Sequence, residues 1–473
     1  MSSPAPRSAH SSSSPLSSSR LSRGTSLELV AETLSANGDA VGHHALEAAA
    51  GADVTRVPVQ VRGLLPGERA RVVVEHVSRS SGRVFARVGE LVEASPERRE
   101  PACRHQGTCS GCPLMIATEA GQARFKRRAL SDLGLEVDEV RVGASPLGYR
   151  WSAKRIVFGK AGAIRLGSYR RGSHEPADMD SCLVDHPDLV AAAAELRRTA
   201  SRLKIEPYDE TTHEGDLRYV WLKTNGRGDV LLTLVTAGPE TRVKKLAEAL
   251  ERPSGVAWCV QPSKGNALRG EGLTMLRGRE TITVELLGRA VEVGPLGFLQ
   301  PNPPVAAMAY RDLVSGPDAD TPVRGELAFD LYAGVGVTTS VLRERFARVT
   351  PCESYPESAK ALGIAPQSVE DFLDAVLESD GSLPTLVVAN PPRAGLGERA
   401  CEQLVALAGR VGAGMKLHVM SCDPQALVDD LNRLEAAGFR RLGVVAYDTL
   451  PQTAHVEVVA WLEASGEGVG ASP

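Results

Sequence analysis

The chain has 473 residues, of which 42% are hydrophobic and 24% charged, and its formal net charge is −4. That length predicts two or three domains of ordinary soluble composition, and no apolar run approaches the roughly 18 to 20 residues that span a bilayer, so no membrane association is expected. The charge balance excludes a chain-wide affinity for polyanions; any basic surface must be local, with R-F-K-R-R (124–128) and S-Y-R-R-G-S-H (168–174) as candidates.

Residues 1–26 are rich in Ser, Pro and Arg and hold no acid, which predicts a disordered tail; a transit peptide would have the same composition. From residue 27 to about 98, strand-like pieces are broken by glycine and proline. The run V-P-V-Q-V-R-G-L-L-P-G-E-R-A-R-V-V-V-E-H-V (57–77) alternates with period two on both sides of a P-G-E turn. A small β-barrel of the oligonucleotide-binding type fits this pattern, and so does a β-sandwich without a ligand.

Residues 99–325 open on C-R-H-Q-G-T-C-S-G-C, which sets Cys103, Cys109 and Cys112 within one short loop. Cys182 follows in D-S-C-L-V-D-H-P. Structural zinc sites usually pair two short cysteine knuckles. One tight group plus one distant cysteine suits an iron–sulfur cubane better, because its irons spread their ligands. Zinc, or no metal, stays open on spacing alone. The eight cysteines are too sparse for a disulfide scaffold, and nothing resembles a secretory signal, so a cytosolic setting is expected.

Residues 326–465 alternate apolar strand-like runs with helical stretches, as a mostly parallel, covered sheet requires. In such sheets ligands bind beyond the carboxyl ends of strands, where Asp330, Asn390 and Cys422 fall. F-D-L-Y-A-G-V-G-V (329–337) reads as a strand, a glycine turn with Gly334 and Gly336, and a helix start. Roughly 20 residues on, Glu353 ends a second strand, where an acid can hold the ribose of an adenosine-containing ligand, a dinucleotide or S-adenosylmethionine (SAM). V-V-A-N-P-P-R (387–393) aims Asn390 from a proline-stiffened turn, unless the turn is simply rigid. K-L-H-V-M-S-C-D-P-Q (416–425) mounts Cys422 at a strand mouth, and L-P-Q-T-A-H-V-E-V-V (450–459) brings His455 and Glu457 to the start of a last strand. Residues 466–473 read as a loose tail.

A thiolate, a base and a SAM pocket make one reaction possible. Carbon 5 of uracil is a poor nucleophile until a thiolate adds to carbon 6 and turns the ring into an enolate. After methyl transfer a base must take the proton from carbon 5 so that the thiol can leave. Cys422 and Glu457 can fill those two roles.

Beyond residue 27 the chain resembles the SAM-dependent RNA 5-methyluridine methyltransferases that carry an iron–sulfur cluster, the type acting on 23S ribosomal RNA. L-P-G-E-R-A-R-V (65–72) with P-E-R-R-E-P-A-C (96–103) resembles their RNA-binding TRAM domain. The four cysteines match their 4Fe-4S ligands. G-Y-R (148–150), L-G-S-Y-R-R-G-S-H (166–174) and L-R-Y-V-W-L-K (217–223) resemble their central RNA-binding region. G-F-L-Q-P-N (297–302) matches a motif whose Gln, here Gln300, contacts SAM; S-C-D-P and P-Q-T-A-H-V-E resemble the nucleophile and base motifs.

The resemblance implies an α/β fold: a Rossmann-like SAM-dependent methyltransferase domain (326–465), an N-terminal OB-like barrel (27–98) and a central α+β iron–sulfur and RNA-binding domain (99–325). It further implies Cys422 as nucleophile and Glu457 as base, with Gln300, Tyr332, Gly334, Gly336, Glu353 and Asn390 around SAM. Cys103, Cys109, Cys112 and Cys182 would hold a 4Fe-4S cluster. RNA is the implied partner, ribosomal before transfer RNA, and a monomer is expected.

The chain departs from the pattern at four places. Asn390 stands where the family has Asp, Val337 where it often has Asn, and Leu299 where it has an aromatic residue. The segment after Glu353 is short and brings Ser368 to the place of an expected acid. These departures make an RNA-binding iron–sulfur protein with a decayed SAM site the competing expectation.

Overall fold

The computed structural model describes residues 21–46, 55–79, 81–170, 172–265, 267–318 and 320–465, which divide into two compact units at Arg98/Arg99. Residues 1–20 and 466–473, where tails were expected, lie outside the described residues. Residues 21–26 are not tail-like: Leu21 is buried in the core of the first unit, and the Gly24 N–H donates to the Val74 carbonyl at 2.8 Å.

The first unit is one sheet of six strands, in the order Ser26–Val30, Arg69–Val77, Val84–Glu93, Thr55–Arg62, Ala40–Leu46, Thr33–Leu34. Its two edge strands are almost contiguous in the chain. Between them the Ala31 N–H donates to Glu68 O (2.9 Å) and the Glu32 N–H to Val41 O (2.8 Å), so the chain passes directly from one edge to the other. A sheet whose edges share a strand must roll up, and this one is a small barrel. Alternation points Ala70, Val72 and Val74 inward. In the P-G-E turn, Glu68 is fully buried and takes bonds from Arg98 at 2.6 and 2.7 Å and from the Leu65 and Ser95 amides.

The second unit holds two seven-stranded sheets and a separate two-stranded ribbon, Ile282–Leu286 with Arg289–Val293. One sheet runs Pro176–Asp178, Ala163–Tyr169, Ser152–Lys160, Leu217–Thr224, Val230–Thr236, Gly255–Val260, Glu271–Gly278. Its two middle strands are buried along their whole length, because apolar clusters cover both faces.

The other sheet positions the candidate site. Its order is Phe346–Cys352, Gly325–Leu331, Leu386–Ala389, Lys416–Ser421, Glu457–Ala464, Phe439–Tyr447, Glu139–Arg141. The first four strands are mutually parallel, and Glu457–Ala464 runs antiparallel to both neighbours. The chain leaves Gly325–Leu331 to one side and returns on the other, so a crevice opens beyond the carboxyl ends of Gly325–Leu331 and Leu386–Ala389. This is the doubly wound α/β arrangement expected for residues 326–465.

Three further pieces, from 99–325, join this sheet. Helix Glu119–Asp132 and the following Leu135 and Val137 pack into its core, strand Glu139–Arg141 extends its edge, and helix Pro303–Ser315 covers its second face. A three-residue strand carries too little periodicity to announce its partner, and an amphipathic helix does not say which sheet it will cover. Between Phe346–Cys352 and Leu386–Ala389 lie two helices, Pro356–Leu362 and Val369–Glu378, and no strand. Ser368 caps the second of them by accepting from the Asp371 N–H at 3.1 Å.

Candidate active site

The crevice begins at the glycine turn. Strand Gly325–Leu331 ends on Tyr332, a non-glycine residue at φ +57°, a backbone state that surrounding structure has to hold. Gly334 (φ +57°) supplies the next reversal, and a side chain there would meet nothing within 4 Å, so the backbone faces open space. At Gly336 (φ +83°) a Cβ would strike Leu362 Cδ2 at 2.4 Å, so only a glycine lets the turn lie this close to Leu362.

Glu353 clamps the turn. One carboxylate oxygen accepts from the Gly334 N–H at 2.8 Å and the other from the Tyr355 N–H at 2.7 Å. Beneath it Asp330, 1% exposed, accepts from the Thr338 and Thr339 hydroxyls, the first at 2.7 Å. Burial still pushes the Asp330 carboxyl up to about 6. The Tyr332 side chain packs on the core beside helix Val369–Glu378, and burial followed by the Glu370 charge raises its hydroxyl.

The thiol and the carboxyl lie on the next strands. Because Glu457–Ala464 is antiparallel to Lys416–Ser421, Ser421 pairs with Val458, and the next step of that register sets Cys422 beside Glu457. Strand reversal thus puts a thiol and a carboxyl at one sheet end. The Cys422 loop is stiff: the Asp423 N–H donates to Ser421 Oγ, and Asp423 caps the following helix through the Gln425 and Ala426 amides. Burial and then the facing Glu457 push the half-buried Cys422 thiol above its ordinary value, while the Arg393 guanidinium pulls the other way. Burial raises Glu457 to about 7 against the attraction of Arg393. His455 is exposed.

Gln300 and Asn390 meet at a residue the sequence reading passed over. The buried Tyr310 hydroxyl accepts from Gln300 Nε2 at 3.2 Å, and the Asn390 side chain also acts on it. Burial, Glu457 and Asp330 raise that hydroxyl to about 12 against the pull of Gln300 and Asn390. Arg393 was within reach of sequence reasoning, because it ends the N-P-P-R motif. The structure therefore gathers the named residues in two groups: Tyr332, Gly334, Gly336 and Glu353 at the turn, and Gln300, Asn390, Cys422 and Glu457 around Tyr310 and Arg393.

The other four cysteines form a separate place. Cys103, Cys109, Cys112 and Cys182 line one cavity with Met115, Val184 and the arginines Arg150 and Arg155; no carboxylate lines it. All four are free thiols. Arg150 Nε is buried without a hydrogen-bond partner. Four soft donors beside the unpaired Arg150 Nε fit a thiolate-bound metal group, whose negative charge Arg150 would help offset, while Arg155 is paired with Asp185. Among the described residues no group of three or more His, Cys, Asp or Glu side chains converges on one point as ligands of a single ion would.

No family model matches the chain. It is 26% identical over 472 residues to a Listeria monocytogenes protein named an uncharacterized RNA methyltransferase, covering 94% of this chain and 99% of that one. A Geobacter sulfurreducens protein named in the same way is 29% identical, with 93% and 90% covered. Among solved structures, the Pyrococcus abyssi tRNA (uracil-54, C5)-methyltransferase bound to S-adenosyl-L-homocysteine superposes with a TM-score of 0.71 at 24% identity, covering 92% of this chain and 99% of that one. That likeness establishes a shared fold.

Proposed function

We propose that the protein is a SAM-dependent methyltransferase acting on carbon 5 of a uridine in RNA. The observation that carries this reading is the Cys422–Glu457 pair at one sheet end, beside a crevice whose glycine turn is clamped by Glu353. The RNA methyltransferases it resembles support the substrate class. A uridine flipped out of its stack enters the crevice. Cys422 adds to carbon 6 as the thiolate, and the electron pair of the 5,6 double bond moves toward carbon 5. SAM supplies the methyl group as an activated sulfonium. Glu457 then takes the proton from carbon 5, the double bond reforms, and the sulfur leaves carbon 6. The positive charge of Arg393 favours the thiolate and the carboxylate alike.

Gln300, Tyr332, Gly334, Gly336, Glu353 and Asn390 form the SAM site in this reading. Cys103, Cys109, Cys112 and Cys182 hold a 4Fe-4S cluster, which supplies fixed geometry to the loops that carry them. The barrel is a TRAM-type RNA-binding module. Ribosomal RNA follows from the family resemblance, whereas the solved neighbour acts on transfer RNA, so the assay carries both.

RNA containing 5-fluorouridine tests the reaction type, because fluorine at carbon 5 cannot leave as a proton does. With SAM present, a covalent protein–RNA adduct that survives denaturation is expected from the parent and not from Cys422→Ala. No adduct from either RNA class, with the metal site loaded, would favour the RNA-binding protein without methyl transfer.

A further inference from the structure

We propose that the four-cysteine site sets the position of Glu457, and that Tyr149 is the positioning residue which carries this coupling. The residues joining strand Phe439–Tyr447 to Glu457 have no regular structure, so other parts of the chain must hold them. Besides the bonds of Asp448 N–H to Arg141 O (2.8 Å) and Gln452 Nε2 to Pro146 O (3.4 Å), three sets of contacts do so. Leu114, two residues after Cys112, donates its N–H to the Gln452 carbonyl at 3.0 Å. Tyr149 donates its hydroxyl to the Pro451 carbonyl at 2.9 Å. Helix Glu119–Asp132 contributes the buried Lys126–Asp448 pair (2.6 Å) and Gln122, which both donates to and accepts from Gln452 at 2.8 Å.

The first two sets issue from the cysteine site. Tyr149 is itself fixed by the flanking bonds of Gly148 N–H to Leu183 O (2.9 Å) and Arg150 N–H to Val184 O (2.8 Å), immediately beyond Cys182. Leu450 packs with Cys103, Cys112 and Cys182 around Met115, Tyr149 and Val184. The far end of this chain of contacts is constrained: Gln452 is fully buried at φ +70°, a state that persists only where neighbours impose it. A group that draws the four thiols together fixes 112–114 and 182–184, and these hold 450–452, five residues before Glu457. The consequence for proton removal rests on the reading of Glu457 as the base; the mechanical link does not.

Hydrogen exchange of the 448–457 segment tests the link, with strand Gly325–Leu331 as internal reference. Stripping the metal from anaerobically purified protein with a chelator should speed exchange in 448–457 about tenfold or more and leave the reference strand unchanged. Tyr149→Phe removes one hydroxyl and no packing volume. With its metal content equal to the parent's, it should speed exchange in the same segment, lower kcat with KM for RNA unchanged, and accumulate the covalent adduct on ordinary uridine RNA. Unchanged exchange in 448–457 in both samples would overturn the coupling. If stripping unfolds the whole unit, Tyr149→Phe decides alone. Absence of methylation by the parent would count against the proposed reaction and leave the exchange result standing.

Discussion

The two halves of the crevice solve opposite problems with the same residue types. At the glycine turn every carboxylate is satisfied: Glu353 takes two backbone N–H groups and Asp330 two hydroxyls. At the other end a carboxyl and a thiol stand side by side, both raised by burial, with one guanidinium acting against both shifts. The first arrangement holds a backbone shape. The second leaves a carboxyl raised to about 7, which can take or give up a proton near neutral pH, beside a thiol held above its ordinary value, and such a carboxyl suits proton transfer.

If that division is right, the halves separate under mutation. Cys422→Ala should remove methyl transfer by on the order of 10⁴-fold or more while leaving SAM affinity at the parent value, as calorimetry would show. Loss of both would break the comparison. Glu457→Gln should slow turnover by about 10²- to 10⁴-fold and trap the methylated adduct, visible as a protein–RNA band on a denaturing gel.

A smaller effect is expected from the binding half. Glu353→Ala leaves two backbone N–H groups unpaired, each worth about 1 to 3 kcal/mol where buried. KM for SAM should rise about 10- to 100-fold with kcat changed far less; a fall in kcat alone would place Glu353 among the reacting groups. The smallest effect is on stability. Glu457 is raised to about 7 and Asp330 to about 6, so between pH ~4 and ~7 the folded chain holds protons that the unfolded chain has released. Their joint contribution to stability therefore falls as pH rises through that window. Glu457→Gln should melt a few degrees above the parent at pH 8 and show no such gain at pH 4.

Much of this architecture is legible in the sequence where one physical signal dominates. Apolar runs ending in G-V-G, N-P-P-R and S-C-D-P locate three carboxyl ends, because a covered parallel strand has to be apolar and its terminal turn does not. The pairing of Cys422 with Glu457 was inferred from chemistry, and the antiparallel register supplies its geometry. What stayed hidden depends on contacts distant in sequence. Tyr310 has the periodicity of a core residue, and only folding brings Gln300, Asn390 and Glu457 around it. Strand Glu139–Arg141 and helix Pro303–Ser315 join a sheet whose first strand begins at Gly325, which no local pattern encodes. The short stretch after Glu353 lacks an acid at Ser368, yet Glu370 and Asp371 in the next helical turn carry charge close to Cys352, and Glu370 also acts on Tyr332.

The central claim is tested most directly by mass spectrometry of nucleosides from unmodified ribosomal and transfer RNA after incubation with the metal-loaded protein and SAM, with Cys422→Ala run in parallel. A 5-methyluridine signal from the parent and none from the variant is the expected result. A methylated nucleoside that persists in Cys422→Ala, or no methylated nucleoside from the parent, would contradict it.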